Sequence, residues 1–265
     1  MRIKGYARMR TKKGNAQVPG QMAFQFCTDT TNYIVQSNAL IFAKQDLKIN
    51  SLKVIRMLIM QITPTDDDFK TYIIPIKTLS SMLEISASNL YRDIDKITDD
   101  ILQHPVEIKD DNTEEFIKIP WVSACSYKTG IGLLIKINPL LKPYLINLRE
   151  HYTQYEAQYI LKMKSGFGIR IFELLIANAM YTKKGTHINV PISVIRDMCN
   201  CNDTFPKIVN FKKKVLDAAC QEINKHTYYS VTYNCIRTGR SYTHVDFYFQ
   251  FCLPTPALNQ SEEKS

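Results

Sequence analysis

Two eight-residue segments of this 265-residue chain follow one pattern. Each begins with Pro-Ile, at Pro75 and at Pro191, and each ends with methionine, at Met82 and at Met198. A proline suits the first position of a helix, and the isoleucine and the methionine of each copy fall on one face of that helix. The repeat therefore predicts two domains built to one plan.

The elements around each copy have the same predicted order. Helical spacing of apolar residues precedes each copy, at residues 52–62 and 168–180, and residues 32–43 before them have the composition of a strand. After the first copy, a turn leads to a second helix that Ser88 is expected to cap. After the second copy, a long helix is predicted at about residues 206–225.

A β-hairpin is predicted to close each half, because apolar and polar residues alternate there. The first hairpin is expected at residues 106–122, with its turn at 110–112 and one further strand at 132–137. The second joins residues 228–235 to residues 241–251. Helix, turn, helix and hairpin wing is the order of a winged helix. The predicted fold class is thus α+β, with two tandem winged-helix domains related by internal duplication.

The predicted domain organisation has four parts. A basic arm at residues 1–30 precedes the first winged-helix domain at 31–148, and the second winged-helix domain at 149–253 precedes a polar, disordered tail at 254–265. The composition, 45% hydrophobic and 22% charged, excludes a disordered chain. Because no apolar run is long enough for a membrane span and no secretory signal is found, we expect a cytoplasmic protein with its seven cysteines reduced.

The charge distribution predicts a polyanionic partner. The net charge is +9, and residues 1–20 contain six basic residues and no acidic one. Residues 183–240 contain ten basic and four acidic residues within patterned structure. The arm at the start of the chain is either a solvated tail or a DNA-contacting segment, whereas the second basic stretch favours nucleic-acid binding.

Candidate DNA-binding residues cluster in the second domain. On its long helix, the side opposite the apolar stripe carries Asn210, Lys213 and Asp217, and Lys207 and Lys214 flank the apolar face. Helices in this position place their first half in the major groove, where asparagine and lysine read bases or contact phosphates. Arg237 and Arg240 flank a glycine at the wing tip, and Lys164, Ser165 and Arg170 are candidates for phosphate binding at the start of the preceding helix.

The corresponding helix of the first domain is less cationic. Its outward side is expected to carry Asn89, Arg92 and Lys96, together with the acidic residues Asp93, Asp95, Asp99 and Asp100. This domain therefore either makes few phosphate contacts or contacts chiefly protein.

The motifs of common enzymes and metal sites are missing from the sequence. It contains no phosphate-binding loop of the Gly-x-x-x-x-Gly-Lys type and no Gly-x-Gly-x-x-Gly after a strand. The five histidines are isolated, and Cys199 and Cys201 are spaced too closely for a structural zinc site. We therefore predict no catalytic activity, no metal and no cofactor.

The chain resembles the iteron-plasmid replication initiator (Rep) family, of the initiator Rep type, over about residues 32–251. The resemblance rests on short pieces in a fixed order across the two halves: Ser37-Asn38-Ala39-Leu40, Leu90-Tyr91-Arg92, Trp121 in the predicted first wing, Lys164-Ser165, Arg170-Ile171-Phe172-Glu173-Leu174-Leu175, Phe211-Lys212-Lys213-Lys214-Val215-Leu216 and Glu222-Ile223-Asn224.

This resemblance implies a protein that binds direct repeats of double-stranded DNA at a plasmid origin and helps to open the duplex. It also implies recruitment of the host replication initiator and the replicative helicase, and an equilibrium between a dimer that represses its own gene and a monomer that initiates. The second domain would make most base-specific contacts. The basic arm is an extension to which the resemblance gives no role.

Two alternatives remain open from the sequence. A winged-helix transcriptional repressor needs the same DNA-binding residues and differs in its target and in lacking helicase recruitment. A scaffold or assembly protein would use its winged helices to contact proteins, so charge reversal at Lys213 and Arg240 would leave its function intact.

Overall fold

The computed structural model describes residues 32–63, 65–109, 115–179 and 185–252. The predicted basic arm at 1–30, the tail at 254–265 and the hairpin turn at 110–112 lie outside these described residues. Within them, no helix is both long enough and apolar enough to cross a bilayer.

The first half alternates helices with short strands. Its elements are β1 (Tyr33–Ser37), α1 (Asn38–Phe42), α2 (Ile49–Ile59), β2 (Thr71–Ile74), α3 (Ile76–Leu83), α4 (Ala87–Gln103), β3 (Val106–Lys109), β4 (Phe116–Ile119), β5 (Val122–Lys128) and β6 (Gly132–Ile137). A 3-10 turn at Pro139–Leu141 and α5 (Lys142–Leu145) lead to the second half.

The second half repeats this order in the described residues, without a counterpart of the β3–β4 pair. Its elements are β7 (Tyr152–Glu156), α6 (Ala157–Leu161), α7 (Gly166–Ala179), β8 (Thr186–Pro191), α8 (Ile192–Met198), α9 (Ile208–Phe211), a π-helical segment (Lys212–Asp217), α10 (Ala218–His226), β9 (Tyr229–Thr238) and β10 (Ser241–Phe251). We call the continuous helix over residues 208–226 the second recognition helix, and α4 the first recognition helix.

Sheet topology confirms the duplication. The first half has a three-stranded antiparallel sheet in the order β2-β6-β5, and the second half has the equivalent sheet in the order β8-β10-β9. The equivalent strands β1 and β7 pair with each other, with Tyr33 opposite Glu156 and Ser37 opposite Tyr152. We call residues 71–137 the first winged helix and residues 186–251 the second winged helix. The predicted boundary at residue 148 falls between α5 and β7 and stays a prediction.

The first wing is not the predicted hairpin at residues 106–122. That hairpin, β3–β4, forms a separate two-stranded sheet, and the wing is β5–β6, because β6 pairs with β2 as β10 pairs with β8. Gly132 permits this pairing, since a Cβ there would lie 2.2 Å from the carbonyl oxygen of Ile74. Trp121 is consequently not on the wing but buried, 1% exposed. The alternation at residues 106–119 predicts a hairpin, but it does not show which hairpin pairs with β2, so periodicity alone selected the wrong wing.

Two local predictions were also wrong. Residues 32–43 are not one strand, because Ser37 accepts a hydrogen bond from the amide of Leu40 at 3.2 Å and so caps α1. The cap of the first recognition helix is Ser86 rather than Ser88, and its hydroxyl accepts from the amide of Asn89 at 3.4 Å.

The π-helical segment explains how the second recognition helix keeps one buried stripe. Phe211, Val215, Ala219 and Ile223 are all buried and recur every four residues. In a regular α-helix, residues spaced by four point in directions that rotate by about 40° around the helix axis at each step, because one turn holds about 3.6 residues. A π-helical turn holds more residues, which brings the stripe back towards the core.

Candidate nucleic-acid interface

The side chain of Arg196 fixes the turn between α8 and the second recognition helix. Its guanidinium donates hydrogen bonds to three backbone carbonyls, those of Cys201 at 3.3 Å, Phe205 at 2.6 Å and Pro206 at 3.4 Å. It also lies 4.3 Å from the ring centroid of Phe211, the first buried residue of the helix. Arg196 therefore sets the angle at which the second recognition helix leaves the turn.

The second recognition helix presents its predicted polar face to solvent. Asn210, Lys213 and Lys214 are exposed, and so is Lys207, which immediately precedes the helix. Phe211 and Val215 lie on the opposite side and are buried. The helix thus displays three ammonium groups and one amide within about two turns.

The second wing lies beside the start of this helix. Its tip has Gly239 at a φ of 63°, a left-handed conformation that glycine adopts without strain. The Arg237 guanidinium lies 4.3 Å from the Tyr242 ring centroid, and Arg240 is exposed. A groove of about 500 Å³ runs between the wing and the helix-turn-helix, lined by Ile192, Arg196, Asn202, Pro206, Ile208, Arg240, Ser241 and Tyr242.

The structure overturns the prediction for Arg170. This residue is 3% exposed, and its guanidinium donates to the carbonyl of Ile41 at 2.6 Å, to that of Ala43 at 2.8 Å and to the Glu173 carboxylate at 2.8 Å. It lies in the buried stripe of α7 and is therefore not available to DNA.

Lys164 and Ser165 have structural partners at the start of α7. The Ser165 hydroxyl accepts a hydrogen bond from the amide of Gly168 at 3.4 Å, which is the geometry of a helix cap. The Lys164 ammonium lies 3.6 Å from the carboxylate of Glu84 in the first winged helix. The backbone amide of Lys164 donates a hydrogen bond to the carboxylate of Glu222 in the second recognition helix at 2.8 Å. These contacts link the two winged helices, and phosphate binding by either residue stays a prediction.

The first recognition helix has an internally paired face. Asn89, Arg92 and Lys96 are exposed, but Lys96 and Arg92 both pair with Asp93, at 3.1 and 3.5 Å. Hydrogen bonds from Lys96 and Arg92 lower the pKa of Asp93, so this carboxylate is charged at neutral pH. Asp100 is not on the outward face as predicted, because it is buried and accepts from the amide of Lys48 at 2.9 Å.

Asp197 connects the two halves at the helix-turn-helix. This carboxylate at the end of α8 accepts hydrogen bonds from Lys109 of β3 and from the Asn202 amide group at 3.0 Å. The hydrogen bond from Lys109 is the largest cause of its lowered pKa. Sequence reasoning missed Asp197 and Arg196, although both stand in the second copy of the repeated segment, next to the turn.

The described residues contain no group of three or more histidine, cysteine or acidic side chains arranged to hold a metal ion. Cys199 and Cys201 are both buried, and burial raises the pKa of Cys199 to about 12 and that of Cys201 to about 11. Both are therefore protonated thiols at neutral pH, a form that does not ligate metals well.

Comparisons with known proteins match both halves. A family model described as "Initiator Replication protein, WH1" matches residues 33–176, and one described as "Initiator Rep protein, WH2" matches residues 191–249. A replication initiation protein of Escherichia coli is 20% identical over 201 residues, which cover 73% of this chain and 62% of that relative. This chain therefore spans less than two thirds of the length of the relative. The Pi initiator protein, solved in complex with iteron DNA, has the same fold, with a TM-score of 0.68 at 17% identity over 85% of this chain and 100% of that one.

Proposed function

This chain belongs to the initiator replication protein family, and from that premise we propose that it initiates plasmid replication by binding repeated double-stranded DNA sites, iterons, at the origin. The Escherichia coli relative is a replication initiation protein, and the Pi initiator binds iteron DNA through the same fold. Both relationships support the proposal.

One observation carries the proposal for this chain. Ile208 at the start of the second recognition helix and Arg240 at the tip of the second wing line the same groove. The exposed face of that helix and the wing tip are both cationic. A duplex entering from this side meets Lys213 and Lys214 on the helix and Arg240 on the wing. Cations arranged around a protruding helix fit phosphates on both sides of a major groove.

Each predicted site residue except Arg170 has a role in this proposal. Asn210 reads base edges, since asparagine can pair with the N6 and N7 atoms of adenine. Lys207, Lys213 and Lys214 contact phosphates, and Arg237 and Arg240 contact phosphates or a minor groove at the wing. Asn89, Arg92 and Lys96 of the first winged helix make weaker contacts, and Lys164 and Ser165 contribute through the start of α7.

The proposal includes the wider role that the family resemblance implies. The bound protein promotes opening of the origin duplex and recruits the host replication initiator and the replicative helicase, in the cytoplasm and without catalytic activity of its own. A monomer–dimer equilibrium separates initiation from repression of its own gene. A transcriptional repressor would bind DNA with the same residues, whereas a scaffold protein would not need them.

Binding across a salt series tests this proposal. The purified chain is titrated with a duplex that carries the direct repeats of its own plasmid origin and with a scrambled duplex of equal length. For about six to ten neutralised phosphates, affinity falls by on the order of a thousandfold between about 50 and 200 mM salt, with a large preference for the repeat. Equal and weak binding to both duplexes would contradict the proposal and favour a scaffold.

Variants locate the interface in the same experiment. We call the slope of log affinity against log salt concentration the salt slope. Lys213→Ala and Arg240→Ala should each reduce the magnitude of this slope by about one and weaken binding to both duplexes. Lys225→Ala is the matched control, because Lys225 lies in the last turn of the same helix, away from the groove. Origin function is then scored as maintenance of a plasmid that depends on the variant gene, which a transcriptional repressor would not support.

A further inference from the structure

Val209 is an unusually exposed apolar residue on the second recognition helix. Its side chain is 71% exposed, the largest value among the exposed large hydrophobic residues of the described chain. It is the second residue of α9 and stands between Lys207 and Asn210, both exposed. Val209 thus lies at the end of the helix that winged-helix proteins place deepest in the major groove.

The orientation of Val209 follows from its buried neighbours. Phe211 is fully buried, and a residue two positions away on a helix points about 200° from it, towards solvent. Lys213 lies two positions beyond Phe211 on the same outward side and is exposed. Val209 and Lys213 therefore share the face that would meet DNA.

Folding does not explain a valine at this position. An exposed side chain buries little apolar surface, and a β-branched residue forms helices less readily than lysine, glutamine or glutamate. The first recognition helix has Ser88 at the equivalent second position, which is also exposed. An apolar side chain here is therefore specific to the second winged helix.

We propose that Val209 packs against the C5 methyl group of a thymine in the repeat and so determines the base at that position. The thymine methyl is the apolar group that base pairs present in the major groove. The lysines around Val209 draw the phosphate backbone close, which brings the valine to the base edges. This inference rests on the proposed function and adds a residue that selects the sequence.

Deoxyuridine supplies the test, because it differs from thymidine at this edge only by lacking the methyl group. Repeat duplexes are made with each thymine replaced in turn by deoxyuridine, and their affinities for the wild-type chain and for Val209→Ala are measured. At one position the wild-type chain should bind about fourfold more weakly, the effect of losing one buried methyl group. Val209→Ala should bind the thymine and deoxyuridine duplexes of that position nearly equally.

Val194→Ala is the matched control, since Val194 is also an exposed valine but lies on α8. It should retain the wild-type sensitivity to deoxyuridine. If Val209→Ala retains that sensitivity, or if no thymine is sensitive in the wild-type chain, the inference is wrong while repeat-specific binding still stands. Absence of any preference for the repeat would instead overturn the proposed function together with this inference.

Discussion

The carboxylate of Glu173 on α7 accepts two hydrogen bonds from the guanidinium of Arg56 on α2, at 2.6 and 3.0 Å. Both side chains are fully buried. Glu173 also accepts from Arg170 at 2.8 Å, from Gln36 of β1 at 3.0 Å and from the Tyr155 hydroxyl of β7. A single buried carboxylate therefore holds together the strands and helices at which the two halves meet.

Replacing this carboxylate tests its contribution to stability. In Glu173→Gln, two buried guanidinium groups lose their shared counter-charge, so we expect the free energy of unfolding to fall by about 3–5 kcal/mol. Urea denaturation followed by circular dichroism measures this. Glu84→Gln is the control, because Glu84 is exposed and its ion pair with Lys164 contributes less than about 1 kcal/mol. Equal losses for the two variants would contradict the prediction.

The pKa of Glu173 predicts a pH window for the same contribution. Burial raises this pKa, but the charges and hydrogen bonds of Arg56, followed by Arg170, outweigh burial and lower it from 4.5 to about 2. A lowered pKa stabilises the fold above pH 4.5, and this stabilisation, about 3 kcal/mol, is lost as the pH falls from about 4.5 to about 2. The difference in unfolding free energy between the wild-type chain and Glu173→Gln should shrink across this window. A constant difference would show that Glu173 does not titrate there.

The sequence predicted the main helices of both halves because the apolar periodicity of a helix is clear in α2, α3, α4, α7, α8 and the second recognition helix. It placed the second recognition helix and the second wing correctly, and the equivalent sheets confirm the duplication. It could not identify β5–β6 rather than β3–β4 as the first wing, since local alternation does not report which strands pair. That choice depends on pairing with β2, a contact between residues distant in the chain.

Arg170 shows a second limit of sequence reasoning. An arginine at the start of a helix is usually exposed, and its charge suggested phosphate binding. Its burial depends on Glu173, one turn later on the same helix, and on carbonyl groups of Ile41 and Ala43. Only the tertiary structure brings those acceptors together. Arg196 was overlooked for a related reason, because its acceptors are backbone carbonyls, which leave no mark on the sequence.

The acidic face of the first recognition helix gives a prediction about its distance from DNA. Asp93 pairs with both Arg92 and Lys96 and cancels one of their two charges, so Asp93→Asn should steepen the salt slope of DNA binding by up to about one. Salt-dependent binding to the scrambled duplex measures the change without base contacts. Asp67→Asn, in the exposed loop before β2, should leave the slope unchanged. An unchanged slope for Asp93→Asn would place the first recognition helix away from the phosphates.

Arg196 and Arg240 border the same groove but are predicted to act differently. The guanidinium of Arg196 is engaged with three carbonyls and the Phe211 ring, so Arg196→Met should lower the free energy of unfolding by about 1–3 kcal/mol. It should also weaken binding to the repeat, because the recognition helix loses its fixed angle, but leave the salt slope unchanged. Arg240→Met should do the reverse, reducing the slope by about one with stability unaffected.

Urea denaturation and the salt series, applied to both variants, separate positioning from phosphate contact. A reduced slope for Arg196→Met without loss of stability would mean that Arg196 releases its carbonyl partners and contacts a phosphate when DNA binds. The two arginines would then form one phosphate clamp across the groove. If stability falls only for Arg196→Met and the salt slope only for Arg240→Met, then of the two arginines only Arg240 of the wing contacts a phosphate. Arg196 then holds the second recognition helix at the angle that the major groove requires.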